Sequence, residues 1–169
     1  FITKIARFQQ IEPFLILQRL QNFLISEKKD EDFIQHKKQL KQDDVTLTDE
    51  QKKVVDFLDP FIRKQSFKPT LLHGVTSSGK TEVYKKLLSK TYHENKSSIV
   101  LLPEVTLALQ FAHLFQQTLS VPVFSFHSHN TKKEKDHLWN MLLNHKPVVI
   151  VGVHLPVMLP INKLGLIIV

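Results

Sequence analysis

Gly74-Val75-Thr76-Ser77-Ser78-Gly79-Lys80-Thr81 decides the fold, because it fits the phosphate-loop pattern G-x-x-x-x-G-K-[ST] at every fixed position. Its neighbours fit as well, since Lys68–His73 predicts a short strand before the loop and Glu82–Leu88 predicts a helix after it. Small residues let the backbone N–H groups of such a loop turn towards a polyphosphate, and the start of the following helix adds partial positive charge. The stretch therefore predicts a nucleotide site rather than an ordinary glycine turn.

Two residues of this loop have predicted chemical roles. Lys80 is the expected partner of the β- and γ-phosphates of ATP, and the hydroxyl of Thr81 is the expected ligand of the ATP-bound Mg²⁺. Both are candidate catalytic residues. The candidate nucleotide-binding residues are the loop, a glutamine upstream of it and the acid that follows it: Gln51, Gly74, Val75, Thr76, Ser77, Ser78, Gly79, Lys80, Thr81 and Glu82.

The upstream glutamine, Gln51, allows two interpretations. Thr48 and Gln51 have the spacing of a capping box, which predicts a helix that begins here and continues through Leu58 towards Pro60. A glutamine upstream of a phosphate loop also reads the adenine edge in many helicases. The spacing alone leaves both roles open.

Beyond the loop, apolar runs alternate with helical patterns. The predicted strands are Ser98–Pro103, Val121–Phe126, Pro147–Gly152 and Gly165–Val169, and the predicted helices are Val105–Leu119 and Lys132–Leu143. Unbroken apolar strands separated by helices predict an α/β fold, with a parallel sheet covered by helices on both faces. Pro122 places its strand near an edge of the sheet. Ligands of such sheets bind at the carboxyl ends of the strands.

Composition limits the class of protein. The 169 residues, 42% hydrophobic and 23% charged, are enough for one globular domain with an appendage. The formal net charge of +7 favours a polyanionic partner. The absence of cysteine excludes disulfides, thiolate zinc sites and cysteine nucleophiles within this sequence. Polar residues interrupt the longest apolar stretch, Ile11–Ile25, so we expect no membrane contact. The lack of cysteine is compatible with a reducing cytosol, and we expect a cytoplasmic protein.

The first 45 residues differ from the rest. An apolar helical pattern fills residues 1–26, and lysine, aspartate, glutamate and glutamine dominate residues 26–44. We predict a short helical or linker segment at 1–45 and a nucleotide-binding lobe at 46–169.

A second acid is expected after the last strand. Phosphate loops need one to hold the Mg²⁺-bound water shell, and it normally stands at the tip of an apolar strand such as Leu166–Val169. Glu134 and Asp136 are poor substitutes, because they lie among lysines on a predicted helix, where surface ion pairs are expected. We therefore expect a truncated sequence in which an acid follows Val169.

Several segments resemble the primosomal protein N′ family, the bacterial replication-restart helicases of superfamily 2. The most specific likeness is Leu72–Tyr84, in which Glu-Val-Tyr follows Lys-Thr. The other similar segments are Leu47–Gln51, Leu102–Val105, His127-Ser128 and Leu164–Val169. Two departures stand out: Ser77 replaces a glycine usual in the family, and Val153–Pro156 replaces a segment that carries an arginine.

This resemblance, which covers residues 46–169, implies the incomplete first RecA-like lobe of an ATP-dependent 3′–5′ DNA helicase that acts in replication restart and primosome assembly at stalled forks. The implied cofactors are ATP and Mg²⁺, with zinc only in the longer protein and no zinc site in this chain. The implied partners are forked and single-stranded DNA, single-stranded-DNA-binding protein and helicase-loading primosome proteins. Residues 1–45 would end a preceding DNA-binding region. The candidate DNA contacts follow three of the strands: Pro103, Glu104, His127, Ser128, Gly152 and His154.

Other interpretations remain open at this point. A P-loop phosphotransferase would ignore DNA, and a non-hydrolysing nucleotide-binding module would bind ATP without turning it over. Glu104 also suits the first turn of a helix, where an acid is favoured by the dipole. A metal site at His127, His129 and His137 is a weaker alternative, since the sequence shows no partner for it.

Overall fold

A parallel four-stranded sheet forms the centre of the computed structural model, which describes residues 46–169. The predicted segment at 1–45 lies outside the described residues. The strands are β1 (Ser97–Leu101), β2 (Val123–Phe126), β3 (Val149–Gly152) and β4 (Leu164–Ile168). The helices are α1 (Asp49–Lys64), α2 (Lys80–His93), α3 (Val105–Thr118) and α4 (Lys132–Leu143), with a 3-10 helix at Leu155–Met158.

The strand order β2-β3-β1-β4 puts β3 and β1 in the middle of the sheet. All three strand pairs are parallel, as the alternation of apolar runs and helices predicts. The predicted edge position next to Pro122 is confirmed, because β2 is an outer strand. The α/β class is thus confirmed.

Successive residues of β3 are buried on opposite faces of the sheet. Val149 and Val151 pack on a cluster that includes Phe115 of α3, whereas Ile150 packs on a cluster that includes Leu138 of α4. All of these side chains are almost fully buried. Helices therefore cover both faces of the sheet, which is why its strands read as unbroken apolar runs.

Helix α1 packs on α2 rather than directly on the centre of the sheet. Val55 and Ile62 of α1 form a buried cluster with Val83 and Leu87 of α2. The buried side chain of Lys96 donates hydrogen bonds to carbonyl oxygens at the end of α1, which fixes that end against the start of β1. These contacts decide where the start of α1 meets the phosphate loop.

Two predicted features are wrong. Lys68–His73 forms no strand: the segment is irregular, and Leu71 is 90% exposed. A strand needs a neighbour that takes its backbone hydrogen bonds, and within residues 46–169 the sheet ends at β4. Helix α1 also continues past Pro60 to Lys64, since Pro60 lies on the exposed side, where water can solvate the carbonyl that loses its donor.

Candidate nucleotide-binding site and nucleic-acid interface

The phosphate loop Gly74–Thr81 lies at the carboxyl-end side of the sheet. Only residues 94–96 join the end of α2 to the start of β1, so α2 runs back along the strands and begins near their carboxyl ends. Helix α2 begins at Lys80, within the loop. The Glu82 amide is the first to donate to the Gly79 carbonyl, so the amides of Lys80 and Thr81 come before this bond. Unbonded amides at a helix start are the groups that phosphate oxygens accept from.

Left-handed backbone gives the loop its shape. Ser77 has φ 63° and Gly79 has φ 76°, both in the region that favours glycine. A side-chain carbon at Gly74 would lie 2.7 Å from Ser78 Oγ. A side chain at position 74 would therefore force the Ser78 hydroxyl to turn away, and the dihedral angle at position 79 favours glycine.

Lys80 is folded onto its own loop. Its Nζ donates to the carbonyl oxygen of Gly74 at 2.8 Å and to that of Val75 at 2.9 Å. The Lys80 ammonium thus lies within the turn, as the phosphate-loop pattern expects of a lysine that contacts phosphate. It can contact a ligand oxygen by giving up one of these carbonyls.

Gln51 makes the predicted capping contact and a second contact that the sequence did not reveal. Its Oε1 accepts from the Thr48 amide at 2.9 Å, and its own backbone amide donates to Thr48 Oγ1 at 3.4 Å, which completes the capping box. Its Nε2 donates to the Ser78 carbonyl at 3.1 Å. Gln51 therefore ties the start of α1 to the phosphate loop, while its predicted adenine contact stays a prediction.

Glu82 and Lys85 form an ion pair on the first turns of α2. Their Oε1 and Nζ atoms are 2.7 Å apart, and both side chains are less than one-third exposed. In this structure Glu82 therefore pairs within its helix, and its predicted nucleotide contact stays a prediction.

The candidate DNA contacts come together at the carboxyl ends of three adjacent strands. Leu101, Gly152 and Phe126 are in register across β1, β3 and β2, so the residues that follow them form neighbouring loops. The exposed candidates in these loops are Pro103, Glu104, Ser128 and His154. Among the six candidates there is one acid and no lysine or arginine.

Packing explains two of these candidates without reference to a ligand. A side-chain carbon at Gly152 would lie 2.5 Å from the Phe126 carbonyl oxygen and 2.6 Å from Pro156 Cγ, so only glycine fits there. Glu104 is the N-cap residue of α3, and its side chain makes no capping hydrogen bond. The first-turn position proposed for Glu104 is thus close to the one observed.

The turn His127–Asn130, which we name the histidine turn, links β2 to α4. His127 is half-buried, and its Nδ1 accepts from the His129 amide at 3.2 Å. Burial holds the pKa of the His127 imidazole below its ordinary value, and the charge of Glu134 opposes that shift. Nδ1 must be unprotonated to accept, so the ring is neutral and carries its proton on Nε2.

Asn130 and Glu134 hold this turn, and sequence reasoning gave neither of them that role. The Asn130 side chain is bonded to His127 and to Glu134, and Glu134 also completes a capping box with Thr131 at the start of α4. The sequence instead predicted a surface ion pair for Glu134. Its hydrogen bonds at the helix start are better explained by the T-x-x-E spacing, a signal that was present in the sequence.

The weaker metal-site alternative gains no support. His137 packs edge-on against the Phe124 ring, 5.2 Å between ring centres, while the His127 and His129 rings are 6.3 Å apart. Across residues 46–169 no group of three or more His, Asp or Glu side chains is arranged to hold a metal ion.

About three-quarters of the chain is similar in sequence to proteins named replication restart protein PriA. The chain is 33% identical over 129 residues to a replication restart protein PriA of Bacillus subtilis, which covers 76% of the chain and 16% of that protein. It is 35% identical over 123 residues to PriA of Rickettsia conorii, covering 73% of the chain and 18% of that protein. With PriA of Chlamydia trachomatis the identity is 35% over 127 residues, covering 75% of the chain and 17% of that protein.

The chain is related to a segment of replication restart protein PriA. This likeness confirms the resemblance that the motifs indicated, and the sheet agrees with a RecA-like helicase lobe. The chain spans less than one-fifth of the length of these PriA relatives. No family model matches it.

Proposed function

We propose that the protein is an ATP-dependent DNA helicase or translocase that moves 3′ to 5′ and acts in replication restart and primosome assembly at stalled forks. The observation that supports the proposal is the phosphate loop of a chain related to PriA, because its lysine, its glycines and its helix start would suit a bound nucleotide. The substrates would be forked and single-stranded DNA.

The loop residues suit ATP with Mg²⁺. Lys80 would exchange the carbonyl oxygens of Gly74 and Val75 for phosphate oxygens, and the amides at the start of α2 would donate to the same group. Thr81 would be the Mg²⁺ ligand, and Mg²⁺ would supply neutralisation of the charge that develops on the phosphates. Gln51 would hold the loop in place and is the adenine-contact candidate.

The remaining assignments follow from the same kinship. The loops after β1, β2 and β3 would face DNA. Single-stranded-DNA-binding protein and helicase-loading primosome proteins would be partners, zinc would belong to another part of the full-length protein, and the protein would work in the cytoplasm. Among the described residues, no helix has the length and apolar character needed to cross a membrane.

Steady-state ATP hydrolysis by the full-length protein, with and without forked DNA, tests the proposal. We expect stimulation by the fork, and we expect Lys80→Ala to lower turnover on the order of 10²–10³-fold, as loss of one donor to a transition-state charge does. Lys86→Ala is the matched control, because Lys86 is exposed on the same helix, and it should turn over ATP like the unaltered protein.

The other outcomes point elsewhere. Hydrolysis that ignores DNA would favour a P-loop phosphotransferase, and nucleotide binding without hydrolysis would favour a binding module. Unchanged turnover in Lys80→Ala would remove the phosphate-loop assignment.

A further inference from the structure

Asn130 is the central residue of the histidine turn. Its side chain is buried, with 5% exposure, although the turn lies at the surface. Its Oδ1 accepts from the His127 amide at 2.6 Å, and its Nδ2 donates to Glu134 Oε2 at 3.1 Å and to Ser125 Oγ at 3.4 Å. One amide group thus joins the last part of β2, the turn and helix α4.

Glu134 completes this arrangement from the helix side. Its Oε2 also accepts from the Thr131 amide at 2.9 Å, and Thr131 Oγ1 accepts from the Glu134 amide at 3.3 Å. Because the same carboxylate oxygen serves both Thr131 and Asn130, the start of α4 and the turn are fixed relative to each other.

The consequence for His127 is a defined protonation pattern. A backbone amide always donates, so the nitrogen that accepts from His129 carries no proton, and the other ring nitrogen does. The groups that act on the ring charge are Glu134, which favours protonation, and His129 and Lys135, which oppose it together with burial. His127 is thus a half-buried neutral ring with its proton on Nε2, and the exposed Ser128 follows it in the chain.

We propose that Asn130 and Glu134 are positioning residues that hold His127 as a neutral hydrogen-bond donor to a phosphodiester oxygen of DNA. This inference rests on the proposed function, since it requires a DNA strand along the carboxyl ends of the strands. The six candidate contacts include no lysine or arginine, and the exposed Lys132 and Lys133 lie beyond the turn, at the start of α4. The contact made by His127 itself is therefore a hydrogen bond rather than a full charge. Such contacts position a strand, and a moving protein can release them readily.

Salt dependence distinguishes a neutral donor from a cation. Only a cationic contact releases counterions, so removing one lowers the slope of log affinity against log salt by about 0.7–0.9. The measurement is fluorescence anisotropy of labelled oligothymidylate with the full-length protein, over a range of NaCl concentrations. We expect His127→Ala to weaken binding about 3–10-fold at every salt concentration, with the slope unchanged.

Two further substitutions sharpen the test at His127. His127→Gln keeps a neutral N–H donor and an acceptor for the His129 amide, so it should recover most of the affinity. His127→Lys adds a cation and should steepen the slope by about 0.7–0.9. The affinity ratio between the unaltered protein and His127→Ala should not grow as the pH falls from about 8 to 7, because burial lowers the pKa of the His127 ring below its ordinary value.

The positioning role has its own signature. Asn130→Ala and Glu134→Ala should each lose about the same 3–10-fold affinity as His127→Ala, and a double variant with His127→Ala should lose no more, because all act through one contact. Glu134→Gln keeps one oxygen acceptor for both donors and should recover the loss of Glu134→Ala. Unchanged affinity for a fluorescent ATP analogue verifies that each variant is folded.

Four results would overturn the inference. A lower salt slope in His127→Ala would show a cationic contact, and additive losses in the double variants would show that Asn130 acts only on stability. If the unaltered protein binds DNA and His127→Ala binds equally well, the inference fails while the proposed function stands. If the unaltered protein binds no oligothymidylate, both fail.

Discussion

The phosphate loop and the histidine turn lie on the same side of the sheet but obtain their shapes differently. The loop is exposed over residues 75–78, and its shape lies in the backbone angles of Ser77 and Gly79. The turn depends on a buried side chain, that of Asn130. A site defined by backbone angles leaves glycines at fixed spacing in the sequence, whereas one defined by a side-chain network leaves only ordinary polar residues.

Of the substitutions that test this comparison, Gly79→Ala should have the largest effect on nucleotide affinity, because it disfavours the backbone conformation of the loop. The left-handed conformation costs a residue with a side chain about 1–2 kcal/mol, or about 5–30-fold in affinity. The new carbon would also displace the Gln51 side-chain amide, which would give up its hydrogen bond to the Ser78 carbonyl, so the total loss should exceed the cost of the backbone alone. Equilibrium binding of a fluorescent ATP analogue measures it.

Gln51→Ala separates the two parts of that loss. In the Gln51→Ala variant this side-chain amide is absent, so adding Gly79→Ala should weaken nucleotide binding only by the cost of the left-handed backbone, about 5–30-fold. If Gly79→Ala binds the analogue like the unaltered protein, the loop is not defined by its backbone and the comparison with the histidine turn fails.

Asn130→Ala should have a smaller effect, on the local stability of the histidine turn, because it removes the central side chain of the network. The substitution removes the partners of the His127 amide and of Glu134, which should raise local opening about tenfold. Hydrogen–deuterium exchange of a peptide that covers the turn measures this opening.

Asn144→Ala is the matched control for the turn. Asn144 is an exposed asparagine whose side chain bonds to the carbonyl of Asn140 in the last turn of α4. It should leave exchange at the turn unchanged. Equal protection in Asn130→Ala would mean that the turn, like the loop, is shaped by its backbone.

Much of the fold could be predicted because apolar periodicity reports burial directly. The strand at 149–152 is buried on both faces, and its four residues read as one apolar run. The helix Lys132–Leu143 was predicted to the residue from its helical pattern, although the capping box of Thr131 and Glu134 that marks its start was not recognised. The parallel arrangement of the strands followed from the apolar runs and the helical patterns together.

The remainder depends on partners that are distant in sequence. The apolar run at 68–73 resembles a strand, but a strand also needs a hydrogen-bonding neighbour, which a local pattern cannot report. The bond from Gln51 to Ser78 joins residues 27 positions apart. At Asn130 the sequence shows only a polar residue near a helix start, and its burial depends on how β2 and α4 meet.

The smallest effect is expected from Ser77→Gly, which improves the loop rather than damaging it. Ser77 has φ 63°, so glycine removes a strain from the loop, which is offset in part by the greater freedom of glycine in the nucleotide-free loop. We expect nucleotide affinity to rise about 2–5-fold, with Ser78→Gly as the control, because Ser78 has no left-handed backbone to relieve. Weaker binding in Ser77→Gly would show that the serine hydroxyl contributes more than the strain costs. A gain at Ser77 but not at Ser78 would show that the backbone angle at position 77 alone favours the glycine that is usual in the family. Positions of this kind make the phosphate loop recognisable in the sequence, whereas the side-chain network of the histidine turn leaves no such signal.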